Sequence, residues 1–373
     1  MIYLDNAATS FPKPRCVIEE VLRCLTQYCG NPGRGAHPLS LLCAEKIYAV
    51  REAVSDFWGI GAPERVCFTG GATHALNAAL KGLLRRDDHV LISELEHNAV
   101  LRPLLRLKEE RGISFDRFAV LGKSEEEILC EMEKGIKQHT RAVVCTHASN
   151  VCSVSLPLEG IGRLCRRHGL KLIVDAAQSA GHLPIDMQKM GIDVLTAPAH
   201  KGLYGIQGAG ILALAEGVEL STLLEGGSGS DSFAPTMPKE VPERYEAGTL
   251  PTPAILALGA GIRFLRERTA QEIAATEHAL FFAARERLES LPDIEIYQRD
   301  HPGAVLLFNQ RDRSPVALAK HLAEHGICVR AGFHCAPMAH IALGTPKEGA
   351  VRIGLGLFNT VQELDALYAA LKT

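Results

Sequence analysis

A lysine in a glycine-rich turn and an aspartate closing an apolar run are the residues whose types and spacing can first do chemistry. The run Leu172-Ile173-Val174 ends in Asp175, followed by Ala176, Ala177 and Gln178. An aspartate there sits at a strand's carboxyl end, where open α/β sheets bind ligands. Taken alone, it reads more readily as a helix N-cap. The next apolar run, Asp193 to Ala197, feeds into Ala199-His200-Lys201-Gly202-Leu203-Tyr204-Gly205. A lone lysine is usually solvated, but a lysine in such a turn can form a Schiff base with an aldehyde cofactor. Pyridoxal phosphate (PLP) needs that lysine and an acid for its pyridinium nitrogen. The acid keeps the ring protonated, so that it accepts electrons from a substrate carbanion. Asp175 and Lys201, from neighbouring strand ends, can meet across one ring. The phosphate needs a cradle, and Thr69-Gly70-Gly71-Ala72-Thr73-His74 lies between a strand and a helix. Its glycines permit close backbone approach, and the helix start offers free N–H groups and a positive dipole. Thr73 adds a hydroxyl.

A nucleophile must be sought among eleven cysteines. Their odd number and the lack of CxxC pairs argue against a disulfide framework or a structural zinc site. Cys67, Cys145 and Cys165 fall within expected strands or helices, where cysteine packs as a small hydrophobe. Cys335 lies instead in Gly332-Phe333-His334-Cys335-Ala336-Pro337, a loop-like segment. Loops more often carry reactive groups, and Arg330 and His334 nearby would favour a thiolate. Cys152, two residues after Asn150, is the rival.

These residues need elements to hold them. Apolar β-rich runs at Arg65–Thr69, His89–Ser93, Arg141–His147, Leu170–Asp175, Asp193–Ala197 and Gly210–Leu214 read as strands. Helical patterns at Thr73–Leu84 and Leu158–His168 join them. Strands joined through helices predict an α/β fold with a mostly parallel sheet covered on both faces. Ser228 to Pro253, rich in Ser, Gly and Pro, reads as a long functional loop. Thr252–Arg268 and Glu272–Leu291 read as helices, and the remainder mixes short strands and helices. The expected division is a large cofactor-binding domain over 13–250 and a smaller α+β domain over 251–373 carrying Cys335. Residues 1–12 can pack on either part. The net charge of −3 gives no reason to expect nucleic acid or an anionic membrane as partner. With no export signal and no apolar stretch of spanning length, the expected compartment is the cytoplasm. No metal site is expected.

The chain resembles the class V aminotransferase family, and within it the cysteine desulfurases of the Suf-type, selenocysteine lyase-like subgroup. The resemblance rests on Tyr3-Leu4-Asp5-Asn6-Ala7-Ala8-Thr9, Arg34-Gly35-Ala36-His37, Gly71-Ala72-Thr73, Glu96-His97-Asn98-Ala99 and Ser149-Asn150-Val151. It continues through Asp175-Ala176-Ala177-Gln178, His200-Lys201, Glu246-Ala247-Gly248-Thr249, Arg330 to Ala336, Arg352-Ile353-Gly354 and Phe358-Asn359-Thr360. It implies a PLP-dependent transferase of fold type I. His97 would stack on the ring and move protons, and Gln178 would bond the phenolic oxygen. Ala72, Thr73, His200 and Asn150 would also hold the cofactor. Asn150, Arg352 and His37 would hold the substrate, with a bidentate grip from the arginine. Thr249 would reach the phosphate of a neighbouring subunit, implying a homodimer with shared sites. The interval of 17 residues from Cys335 to Arg352 is short, as in the Suf-type subgroup.

The activity implied is conversion of L-cysteine to L-alanine, with sulfur carried as a persulfide on Cys335 and passed to an acceptor protein in sulfur metabolism, iron–sulfur cluster assembly included. Two alternatives keep the same cofactor residues. One is a lyase acting on L-selenocysteine; the other is a class V aminotransferase or lyase in which Cys335 has no role. Two positions depart from the family pattern. Pro198 stands where a serine usually contacts the phosphate, so Thr196 or His200 would have to compensate. Cys152-Ser153 stands where Leu-Gly is common.

Overall fold

The computed structural model describes residues 1–33, 35–229, 233–298 and 300–373. Arg34, part of one quoted motif, lies outside them, as do positions 230–232 of the expected long loop. The chain opens with β1 (Ile2–Tyr3), α1 (Arg15–Arg23), a π-helical turn (Cys24–Tyr28) and α2 (Pro38–Phe57). There follow β2 (Val66–Thr69), α3 (Ala72–Leu83), β3 (His89–Ser93), α4 (Asn98–Arg111), β4 (Ser114–Phe118) and α5 (Glu125–Gly135). Then come β5 (Thr140–Thr146), α6 (Leu158–His168), β6 (Lys171–Asp175), α7 (Met187–Met190), β7 (Val194–Pro198) and β8 (Gly210–Leu214). The last part comprises α8 (Thr252–Glu267), α9 (Ala270–Glu289), β9 (Ile294–Tyr297), β10 (Val305–Gln310), α10 (Pro315–Glu324) and β11 (Ile327–Cys328). It closes with β12 (Arg330–Gly332), α11 (Pro337–Ala342), β13 (Ala350–Gly354) and α12 (Val361–Leu371).

Among the described residues a seven-stranded sheet runs in the order β2-β8-β7-β6-β5-β3-β4. The pairs β7–β6, β6–β5, β5–β3 and β3–β4 are parallel, while β8 runs antiparallel to both its neighbours. Apart from edge strand β4, its strands are apolar on both faces because helices cover both. In β5, Val143 and Cys145 enter one core while Ala142 and Val144 enter the other. β3 and β6 alternate likewise, as the two-residue period of a strand requires. The reading of isolated apolar runs passes over α4, β4 and α5. Edge strand β4, Ser-Phe-Asp-Arg-Phe, buries only Phe118 fully and shows no apolar run.

A second, four-stranded sheet, β12-β13-β10-β9, is antiparallel throughout and has its own core with α9, α10 and α12. The N-terminal segment joins it: β1 pairs with β11, and Asp5 bridges to Gly354. Helix α8 packs on α1 and α2, and its Ile255, Leu258 and Ile262 belong to the core of the larger sheet.

The long segment before α8 is anchored by a buried ion pair. Glu246 takes both outer nitrogens of Arg51 and the amide of Phe68 in β2, and Arg51 also donates to the Val66 carbonyl. This fixes Gly248 and Thr249 against α2.

Candidate active site

The carboxyl ends of β2, β3, β5, β6 and β7 converge on a cavity of about 180 Å³. It is lined by Gly71, Ala72, Thr73, His97, Ala99, Thr146, Asn150, Asp175, Ala177, Gln178, Pro198, His200 and Lys201. Every residue proposed above to bind the cofactor therefore lies on one wall or another of it, except Thr249. That residue lines a separate cavity of about 410 Å³ with Tyr48, Arg51 and Glu246. His37 lies outside the smaller cavity too; its Nδ1 accepts the Ser40 amide at 3.3 Å and caps α2.

Burial dominates the electrostatics. It pushes the Lys201 amine down to about 8, partly offset by the nearby Asp175 and Cys335 charges. It pushes the Asp175 carboxyl up, against the Ala177 amide, 2.9 Å from Oδ1, and against Lys201. Oδ2 has no protein donor among the described residues. A buried carboxylate in that position gains most from a cationic N–H. His97 caps α4, its Nδ1 accepting the Ala99 amide at 3.0 Å. Its proton therefore sits on Nε2, and burial holds the imidazole down at about 4, so it is neutral near pH 7. Gln178 donates to the Ala7 carbonyl at 2.9 Å, which leaves its second amide proton free.

The phosphate end is built from backbone. Gly71 has φ +148°, and a Cβ there would meet no protein atom within 4 Å. A side chain at this position would take up cavity space instead. A Cβ at Gly210 would lie 2.4 Å from the Gly71 backbone, so the strand packs directly behind the cradle. The first amides of α3 have no helical acceptor. Pro198 lines the cavity without a hydroxyl. Of its two expected substitutes, Thr196 donates to the Val174 carbonyl at 3.3 Å, whereas His200 lines the cavity with a buried, unpartnered Nδ1.

Sequence reasoning passed over two acids. Glu96 is 0% exposed; its carboxyl bonds the Ser93 hydroxyl and the Thr146 amide, the latter at 2.8 Å. Burial pushes it up to about 8, so it is protonated near pH 7, and it ties the ends of β3 and β5 together beside His97. The one signal was its place before His97. Asp5 bonds Arg352 at 2.9 Å and Arg330 at 3.2 Å. Arg352 is 2% exposed and also donates to the Asn150 carbonyl at 2.9 Å; its Nε is buried without a partner. Its expected two-pronged grip is thus partly taken up by Asp5, and a bound carboxylate would compete with that pairing.

Cys335 is exposed, and its turn is bonded to the cavity wall: Asn98 donates to the Cys335 carbonyl and Asn150 to the His334 carbonyl, each at 2.7 Å. His334 does not supply the expected positive charge. Burial holds it down at about 3, so it is neutral. Cys152 is buried and its thiol is pushed up to about 11 by that burial, which removes it as a rival nucleophile.

Comparisons with known proteins identify the family. The family model for aminotransferase class-V matches residues 2–367. The chain is 32% identical to a probable cysteine desulfurase of Methanothermobacter thermautotrophicus, over 98% of this chain and 92% of that one. It is also 32% identical, over its whole length, to a cysteine desulfurase of Synechococcus elongatus, of which it spans 60%. The apo structure of a cysteine desulfurase from Thermococcus onnurineus superposes with a TM-score of 0.91 at 31% identity, covering 100% of this chain and 94% of that one. The protein belongs to the class-V aminotransferase family.

Proposed function

We propose that this protein is a PLP-dependent cysteine desulfurase of the Suf-type subgroup, releasing L-alanine from L-cysteine and keeping the sulfur on Cys335. The observation that carries the reading is the combination of half-buried Lys201 and buried Asp175 lining one cavity with an exposed thiol on a turn bonded to that cavity's wall. The residues fit the cofactor: a lowered amine, an acid lacking a cation, and a glycine cradle at a helix start.

When bound, PLP supplies an electron sink for the substrate's Cα carbanion. Lys201, as a neutral amine, removes the Cα proton. Asp175 would hold the cofactor's ring nitrogen in its protonated form. Arg352 and Asn150 orient the substrate carboxylate. The Cys335 thiolate attacks the substrate sulfur and the Cβ–S bond breaks, its electron pair passing to the alanyl fragment. Lys201 would return its proton to Cα and a solvent proton would complete the Cβ methyl of alanine. His97, neutral and with Nδ1 taken by the Ala99 amide, would pack beside the ring. Cys335 would carry a persulfide for transfer to an acceptor protein.

The same reading includes a homodimer. Ile18 and Leu22 on α1, and Leu39, Leu41 and Tyr48 on α2, expose large apolar side chains, and Tyr48 lines the cavity that holds Thr249. Such a patch calls for a partner, and a second copy would bring Thr249 towards the neighbouring site. No helix among the described residues is long and apolar enough to cross a membrane, and every cysteine is a free thiol. Both agree with a reducing cytosol.

The test is a single turnover of PLP-loaded protein with cysteine, followed by peptide mass mapping. One added sulfur on the Cys335 peptide with stoichiometric alanine is the expected result. Alanine with an unmodified Cys335 would mark a lyase, and no alanine would mark another amino-acid substrate.

A further inference from the structure

Cys335 is the second of two consecutive residues in the left-handed region, with φ 50° at His334 and 56° at Cys335. Neither is glycine, so the surroundings must hold the turn. The clamps from Asn150 and Asn98 hold its carbonyls. A third restraint acts through the His334 ring. His334 Nδ1 lies 3.0 Å from His340 Nε2, and His340 Nδ1 lies 2.8 Å from Thr345 Oγ1. His334 Nε2 lies 3.3 Å from the Arg330 carbonyl. The two rings stack with centroids 5.2 Å apart, and His340 is 0% exposed.

One neutral arrangement of protons satisfies all three ring contacts; the Thr345 hydroxyl, which also lies 3.3 Å from the His340 carbonyl, gives its one proton to the shorter contact. The Arg330 carbonyl only accepts, so His334 Nε2 carries a hydrogen. His334 Nδ1 then accepts, and His340 Nε2–H donates to it. His340 Nδ1 in turn accepts the Thr345 hydroxyl proton. The reverse polarity would set a lone pair of His334 against the Arg330 carbonyl. Both imidazoles are neutral in this arrangement, in keeping with the burial that holds His340 down at about 4. The chain thus gives the thiol no charge. What it gives is direction, because each of the four ring nitrogens has one partner.

We propose that His340, oriented by Thr345, is a positioning residue for the sulfur-accepting step: it fixes the His334 ring and with it the left-handed turn that presents the Cys335 thiol. This rests on the desulfurase reading. An apolar ring at 340 would fill the space but leave His334 Nδ1 buried without a donor. His340 lines no part of the cofactor cavity, so cofactor binding and Cα chemistry do not depend on it.

The experiment compares PLP-loaded wild type with His340→Phe, His340→Gln and Thr345→Val. The rate at which sulfur appears on Cys335 in a single turnover is measured beside the cofactor spectrum, kcat and KM. His340→Phe is expected to slow sulfur transfer about 100-fold, the scale of a small misplacement of a reacting group. The cofactor spectrum and KM for cysteine stay at wild-type values. Gln, whose amide can donate where Nε2–H does, restores most of the rate, and Thr345→Val falls in between. A wild-type transfer rate in His340→Phe overturns the proposal. So does a Gln variant as slow as Phe, which would make the role one of packing alone. Should His340→Phe fail to fold, Thr345→Val decides: slowed transfer supports the proposal and an unchanged rate ends it. A wild-type protein that makes alanine without sulfur on Cys335 brings down the desulfurase reading instead, which the wild-type arm identifies separately.

Discussion

Lys201 and Cys335 need opposite surroundings, and the chain supplies them. An amine that must lose its proton gains from burial, whereas a thiol that must reach a substrate and then a partner has to be exposed. The Lys201 amine, held at about 8, gives a pH test. Only the neutral amine can bond the PLP aldehyde. Reconstitution of apoprotein, followed by absorbance, should therefore accelerate as pH rises and level off above about 8. Lys201→Ala should show no such covalent absorbance at any pH. Cys335→Ala should keep the full cofactor spectrum and lose sulfide release by at least about 100-fold, the lower end of what one positioned reacting group contributes. Sulfide release at the wild-type rate would dismiss Cys335 as the sulfur carrier.

At the scale of elements, strand ends place the chemistry and the connecting segments set its aim. Asp175 is the last residue of β6, and Lys201 and His97 follow β7 and β3 by no more than a few residues. Thr249 depends on a longer tether, the Arg51–Glu246 pair that ties its segment to α2 and β2. Removing one member of a buried pair leaves the other charge uncompensated, at a cost of about 3–5 kcal/mol. Arg51→Met should lower the unfolding free energy by that amount in a denaturant titration. The double variant with Glu246→Gln should recover part of the loss. A single variant as stable as wild type would mean that Glu246 finds another partner. Behind the phosphate cradle, Gly210→Ala would press a methyl onto the Gly71 backbone. Weaker PLP binding in equilibrium dialysis is the expected result.

For the whole molecule, the question is what covers α1 and α2. Their exposed Leu22 and Leu39 lie on a face that no described part of the chain buries. In the proposed homodimer, Leu22→Lys together with Leu39→Lys should reduce the mass seen by sedimentation from that of two chains to one. Activity should fall with it, because each cavity would lose its neighbour's Thr249. A double variant that stays dimeric would place the interface elsewhere. The larger sheet and the four-stranded sheet are joined at the site by the N-terminal segment. Asp5 pairs with Arg352 and Arg330, while Thr9 and Ser10 donate to the His200 carbonyl.

Much of this was legible in the chain itself. The apolar runs marked most strands of the larger sheet, because strands buried on both faces can be little else. The order of glycine turn, aspartate and lysine along those strand ends was enough to name the cofactor chemistry. What depends on distance in space was not legible. Asp5 meets Arg352 only because β1 pairs with β11, across 347 residues of chain. Glu96 carries no role in the sequence beyond its motif, and only the closing of β5 over it buries it and raises its pKa. His334 reads as a charge for Cys335, yet the fold buries it against His340 and makes it neutral. Residue type and spacing determined which groups could react. Burial and long-range contact, which exist only once the sheets have closed, decided their protonation and their aim.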